Sequence, residues 1–265
     1  MEETAKSEIL RVYANVLSVR TTAILTGWSR PTVKSVVCSS GAAPVQRKYA
    51  VNADAFIGLD TPDKAYWLGF LLADGTINFR KGTSYPKWLS ISLQYRDTSH
   101  VDKLKEFLAY SGPTVTVHSL DKRSMHVSKQ TRLTVCSSHL CRSLVSIGWI
   151  QFKTFGDTNI LDAVKPDVVP DLMRGMLDGD GGFIMTRMGQ ILIYFVSRHR
   201  SVAEWFQKKM VSMFGFGPTK LWEGKASEVY RVQYRGNVQA KRFLGSIYQG
   251  TPRLDRKFDL FTSFT

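Results

Sequence analysis

Cysteine is scarce: Cys38, Cys136 and Cys141 are the only three in 265 residues, and no two stand in C-x-x-C spacing. An odd number without that spacing supports neither a disulfide framework nor a structural zinc site, so reduced, partly buried thiols are expected. Long apolar runs are also missing. The longest, near residues 65–73, is far too short to cross a bilayer. No charged, apolar and cleavable pattern opens the chain, so the expectation is a soluble intracellular protein of the cytoplasm, nucleoid or organelle matrix, not secreted and with no membrane partner. Acidic residues are the third deficit. Against 36 Lys and Arg stand 22 Asp and Glu, a formal net charge of +14. Such a field favours a polyanionic partner, nucleic acid first. The basic residues are spread along the chain, which suits a folded binding surface better than a disordered basic arm.

What is present is enough apolar content, 43%, for one large domain or a main domain with a small attachment. Ile9, Val12, Val16 and Val19 recur at helical spacing over residues 4–19. After them, residues 21–34 read as helix, glycine turn and second helix, with Ser29 as N-cap and Pro31 in the first turn. This small all-α region, residues 1–40, resembles a helix-turn-helix whose second helix offers Arg30, Thr32 and Lys34 to DNA; a hairpin with only a packing role is the alternative. The run CSSGAAPV from Cys38 is small and turn-forming, and a linker is expected over residues 41–60.

Beyond it two units carry the same order of signals. In the first, an apolar helix ends in an acidic-glycine turn, strands follow near 76–79 and 88–95, a helix at 100–110, a strand at 131–135 and a helix at 139–147. In the second, the strands fall near 183–186 and 190–197, then a helix at 201–214, a strand at 229–234 and a helix at 238–248. The halves, residues 61–158 and 159–265, repeat with a period near the 106 residues between Asp74 and Asp180. In register, Gly69 matches Gly175, Ala73 matches Gly179, Asp74 matches Asp180 and Gly75 matches Gly181. Residues four apart share a helix face, so each pair of small residues makes a smooth strip along which two helices can approach backbone to backbone. If those strips pack together, the two acids meet at one end. Carboxylates so close repel unless a cation sits between them, and hard divalent ions take such oxygen ligands.

The segments WLGFLLADG at 67–75 and MRGMLDGDG at 173–181 both resemble the nine-residue signature of the LAGLIDADG homing endonucleases. Two copies about one hundred residues apart, each followed by the same strand-rich order, make the resemblance specific over roughly residues 60–265. It implies an α+β fold of duplicated αββαββα halves with pseudo-twofold symmetry, in one monomeric chain, two antiparallel sheets forming a saddle over double-stranded DNA. It implies site-specific cleavage at a long asymmetric target with Mg²⁺, Mn²⁺ able to substitute, held by Asp74, Asp180 and the backbone of Ala73 and Gly179. Leu72 departs from the pattern where the second copy keeps Asp178; since the later acid of each motif is the ligand in the family, Asp178 receives no catalytic role. By approximate register, Asp97, His199 and Arg235 are further catalytic candidates, with no base in the matching first-half region near Ser137, so the two half-sites are expected to cut at different rates. His199 is the preferred histidine, because His100, His118, His126 and His139 show no ligand spacing.

Alternation along the strands suggests the DNA-facing set: Asn78, Arg80, Lys87, Ser90, Ser92, Gln94 and Arg96 in the first half, and Met185, Arg187, Gln190, Ile193, Ser197 and Arg198 less regularly in the second. An ordinary solvated sheet face is the alternative for any one of them. Three other functions carry part of this pattern. An intron RNA maturase of the same family and a transcription regulator with a degenerate form of the fold are each weakened by the retention of both acids. An intein is disfavoured by the absence of splice-junction residues at Met1 and in the closing FTSFT.

Overall fold

The computed structural model describes residues 3–16, 19–41, 49–80, 82–121, 126–149, 159–224 and 229–264, and contacts divide the chain into two compact units, 1–50 and 51–265. In the first unit α1 (Glu3–Val16), α2 (Val19–Thr26) and α3 (Arg30–Ser39) close over Ile9, Tyr13, Ala23, Val33, Val36 and Val37. Gly27 takes a left-handed turn at φ +74°, and Ser29 caps α3 by accepting the Thr32 amide at 3.2 Å, with Pro31 in the first turn. Arg30 and Lys34 are exposed on α3 and Thr32 is half-buried. The helix runs through Cys38 and Ser39, so the first residues of the small, turn-forming run are helical. Of the linker expected over residues 41–60, residues 42–48 lie outside the described set.

Residues 51–60 are packed into the second unit: Ala55, Phe56 and Leu59 are buried, and the Asn52 amide donates to Leu108 at 2.7 Å. Thr61 caps the first motif helix, α4 (Pro62–Asp74). The order β1 (Gly75–Phe79), β2 (Pro86–Gln94), α5 (Thr98–Phe107), β3 (Thr114–Asp121), β4 (His126–Val135) and α6 (Ser138–Ser146) completes the first half. After a short α7 (Asn159–Asp162), the second half repeats it with α8 (Val169–Asp180), β5 (Gly181–Met185), β6 (Ile191–Ser197), α9 (Arg200–Phe214), β7 (Trp222–Glu223), β8 (Tyr230–Arg235) and α10 (Asn237–Ile247), and α11 (Asp255–Thr262) follows. The sheets are antiparallel with orders β1-β2-β4-β3 and β5-β6-β8-β7. The expected αββαββα duplication is therefore the observed architecture.

Alternation decides which side of each sheet is covered. Ile77, Leu89, Ile91, Leu93, Leu133 and Val135 in the first, and Phe183, Ile191, Ile193, Phe195 and Val232 in the second, are buried on the side that packs on the helices. The opposite faces are open. Between the halves, α4 and α8 form the most extensive contact between any two elements. A Cβ on Gly175 would stand 2.0 Å from the Tyr66 carbonyl oxygen, and one on Gly69 would stand 2.2 Å from that of Leu172. Only glycine permits so close an approach of two backbones. A Cβ on Gly179 would meet Ala73, so the helices run parallel with their acidic ends together.

Candidate active site and nucleic-acid interface

The parallel crossing carries Asp74 and Asp180 to one end of the interface. Gly75 and Gly181 leave their helices in extended backbone, each amide still bonded to a last-turn carbonyl, Leu71 and Leu177 respectively, and the chain passes directly into β1 or β5. Asp74 reaches across: its Oδ2 lies 3.4 Å from where a Gly179 Cβ would be. Asp180 is exposed and Asp74 half-buried, so both are open to a ligand from solvent. No group of three or more His, Cys, Asp or Glu side chains gathers among the described residues. A donor set of two carboxylates with neighbouring backbone carbonyls does not suit zinc, but it fits a hard cation that completes its shell with water and phosphate.

Lys257, which the sequence reading missed, anchors this end of α8. Its ammonium, buried under α11, donates one proton each to the carbonyls of Leu177, Asp178 and Gly181, all at 2.7 Å. These bonds skip Gly179 and Asp180. Burial pushes the Lys257 pKa down to about 8; the charges of Asp178, Asp74 and Asp180 pull the other way, so the side chain stays protonated at neutral pH. Nothing in the DRKFDLFT segment marks this lysine as different from the other basic residues, and only the fold brings it under the motif.

Asp178 turns inward, as a non-catalytic assignment requires. Fully buried, it accepts from Tyr248 Oη at 2.6 Å, Tyr66 Oη at 2.8 Å and the Leu254 amide at 2.8 Å. Burial raises its pKa, yet three donors and Lys257 favour the carboxylate. Tyr66 spends its proton on Asp178, so its 2.9 Å contact with His100 requires His100 Nε2 to donate. That tautomer leaves Nδ1 a bare lone pair, which is the atom found buried without a partner. Burial, with Lys103 nearby, lowers the His100 pKa from 6.5 to about 3. Unfolded chain takes up this proton near pH 6.5 and folded chain does not, so the contribution is intact above that pH and is lost progressively towards 3. Between pH 6.5 and 5 wild type should lose about 2 kcal/mol more stability than His100→Gln, read by urea denaturation at both pH values.

The other candidates separate. Asp97 is buried at the start of α5, with Arg256 Nε 3.0 and 3.1 Å from its two oxygens, and so fastens α11 to the first half instead of facing a ligand. His199 follows β6 at the N-cap of α9, four residues beyond Phe195, the residue paired with Gly181 at the end of α8. Arg235 is displaced from it: it pairs with Leu192 in the row of Ile184, whereas Gly181 pairs with Phe195 and Phe195 with Val232. Arg231, beside Val232 and opposite Val196, is nearer that row, and its counterpart by register in the first half is Arg132, opposite Ser92. Each sheet thus carries an arginine at the same register position, Arg132 in the first half and Arg231 in the second.

On the first sheet's open face stand Thr76, Asn78, Trp88, Ser90, Ser92, Gln94, Gln130, Arg132 and Thr134. Arg80 is exposed beyond β1, and Arg96 is exposed just past β2. Lys87 has the parity of buried Leu89 and lays its ammonium over the Trp88 ring, 5.0 Å from the centroid. In the second sheet two of the expected residues lie on the packed side. Ile193 is wholly buried, and Ser197 lies in the packed row, where its Oγ accepts the His199 amide. Met185 is exposed at the end of β5, Arg187 and Gln190 in the following turn, and Arg198 after β6. The open face is instead Ile184, Leu192, Tyr194 and Val196 with Arg231, Gln233 and Arg235. The strand ILIYFVS is apolar on both faces, so its alternation was invisible.

No family model and no curated protein matches the sequence. Among solved structures the chain is similar to the meganuclease I-SmaMI bound to uncleaveable DNA with a TTCT central four, at a TM-score of 0.50 and 13% identity over 77% of this chain and 88% of that one. It is also similar to the I-LtrWI LAGLIDADG homing endonuclease bound to target DNA (TM-score 0.47, 10% identity, 80% and 90% covered) and to the I-SmaMI LAGLIDADG homing endonuclease bound to cleaved DNA (0.48, 13%, 77% and 87%). The fold is that of the LAGLIDADG homing endonucleases.

Proposed function

We propose that this chain is a metal-dependent, site-specific endonuclease that cuts both strands of double-stranded DNA at a long asymmetric target. The observation that carries the reading is the parallel, glycine-mediated crossing of α4 and α8, which brings Asp74 and Asp180 to one end, beside two sheets whose open faces carry arginine and amide side chains. A divalent cation, Mg²⁺ with Mn²⁺ able to replace it, would supply charge neutralisation at the scissile phosphate and acidify an attacking water. Asp74, Asp180 and the carbonyls of Ala73 and Gly179 would hold it. Lys257 fixes the backbone from which two of these donors project, and its positive charge lies within electrostatic reach of both acids. His199 is the histidine proposed to exchange a proton during cleavage. Arg132 and Arg231, on the open faces, would supply phosphate or base contacts. The N-terminal unit adds a second DNA contact through Arg30, Thr32 and Lys34.

The test is a randomised DNA pool incubated with the full chain in Mg²⁺ and in chelator. Enrichment of one cut sequence in Mg²⁺ alone is the expected result; tight binding with no cut under either condition would end the endonuclease reading and favour a regulator. Binding should also weaken steeply with salt: six to ten neutralised phosphates give about 10³- to 10⁵-fold loss between 50 and 200 mM. Fluorescence anisotropy across that range checks it, and a flat response would mean that the +14 charge has no such role.

A further inference from the structure

Register makes the two open faces comparable position by position. The pairs Thr76–Ser90 and Asn78–Trp88 of the first sheet correspond to Gly182–Tyr194 and Ile184–Leu192 of the second, each counted from the glycine that ends its motif helix. One step along, Ser92 opposite Arg132 corresponds to Val196 opposite Arg231. At matched places, then, Asn78 becomes Ile184, Ser92 becomes Val196 and Ser90 becomes Tyr194, while arginine is kept. These are not buried exchanges. Ile184 is 47% exposed, and Leu192, Tyr194 and Val196 are only half-covered. The phenol of Tyr194 occupies the space over Gly182, where a Cβ would come within 2.6 Å of Oη, so the large side chain is matched by a missing one.

Hydroxyl and amide groups read the donors and acceptors of base edges, whereas branched aliphatic side chains can read only one feature of the major groove, the thymine methyl. Arg231, Gln233 and Arg235 on the adjoining β8 keep the surface cationic, which suits a phosphate-bearing occupant over an apolar protein face. Resting on the endonuclease reading above, we propose that the two sheets recognise their half-sites by different chemistry: the first by hydrogen bonds, and the second by contact of Ile184 and Val196 with thymine methyl groups.

Deoxyuridine lacks only that methyl, so it isolates the effect. A duplex enriched from a randomised pool is remade with every thymine of one half, then of the other, replaced by deoxyuridine, and affinity is measured in Ca²⁺ for wild type and for the double variant Ile184→Asn, Val196→Ser, which carries the first-half residues. Loss of two methyl contacts should weaken wild-type binding about tenfold in one half, with less than about twofold change in the other. In the double variant the sensitive half should bind thymine and deoxyuridine alike, while circular dichroism and first-half recognition stay unchanged. Equal responses in both halves, methyl sensitivity that survives the double variant, or an enriched site with no thymine under the second sheet would overturn the inference and leave the endonuclease reading standing. A pool from which no duplex is enriched would overturn both.

Discussion

Asp74→Asn and Asp180→Asn are each expected to reduce cutting of the enriched duplex by about 10³-fold or more, the range that several kcal/mol of lost charge stabilisation gives. Each change is nearly isosteric and keeps the helix end intact, so circular dichroism should be unaltered. On the proposed reading it removes a negative charge from a surface that would face phosphate, so DNA affinity should hold or rise. That opposition separates a ligand role from a structural one: an acid that merely capped a turn would lose stability and binding together. Lys257→Met should behave differently again. It leaves the carbonyls of Leu177, Asp178 and Gly181 without the ammonium they share, so it should lower both stability and cutting, whereas a change at Asp178, bonded to Tyr66, Tyr248 and the Leu254 amide, should affect stability before chemistry.

The second large effect is at the helix crossing. Gly175→Ala places a methyl 2.0 Å from the Tyr66 carbonyl oxygen and 2.8 Å from the Phe70 amide nitrogen, both backbone atoms that cannot turn aside. The helices must separate, and the acids at their ends separate with them. A loss of about 4 kcal/mol or more is expected, equivalent to a fall of roughly 10 °C in Tm for a unit of this size. Gly217→Ala is the control, because nothing lies within 4 Å of its added Cβ, and it should change stability by less than about 0.5 kcal/mol. Thermal denaturation of the two variants beside wild type decides the point. An unchanged Tm for Gly175→Ala would mean that the interface is not close-packed.

The motif helices were legible because their signal is local: small residues four apart followed by Asp-Gly say both which face packs and where the helix stops. The duplication was legible for the same reason, repeated in order. Other features depend on partners distant in sequence. The run TVTVHSLD pairs with β4 as β3, but its polar alternation resembles any solvated segment, and no strand was expected there. DRKFDLFT forms α11 and delivers Lys257 and Arg256 to residues 76 or more positions away, which no periodicity announces. Asp97 looked catalytic from its place after β2, and only the appearance of Arg256 beside it shows what its charge answers. In β6 both faces are apolar, so parity could not be assigned until β5 and β8 fixed the register; this is why Ile193 and Ser197 were placed on the wrong side. Asp74 and Asp180 needed no such help, and their convergence follows from glycine geometry alone.

Calorimetric titration of Ca²⁺ into the protein bound to its enriched duplex tests the metal role of that convergence directly. Wild type should show saturable uptake, and the double variant Asp74→Asn, Asp180→Asn should show none while still holding the DNA; undiminished uptake by the double variant would contradict the assignment of the two helix ends as the metal site.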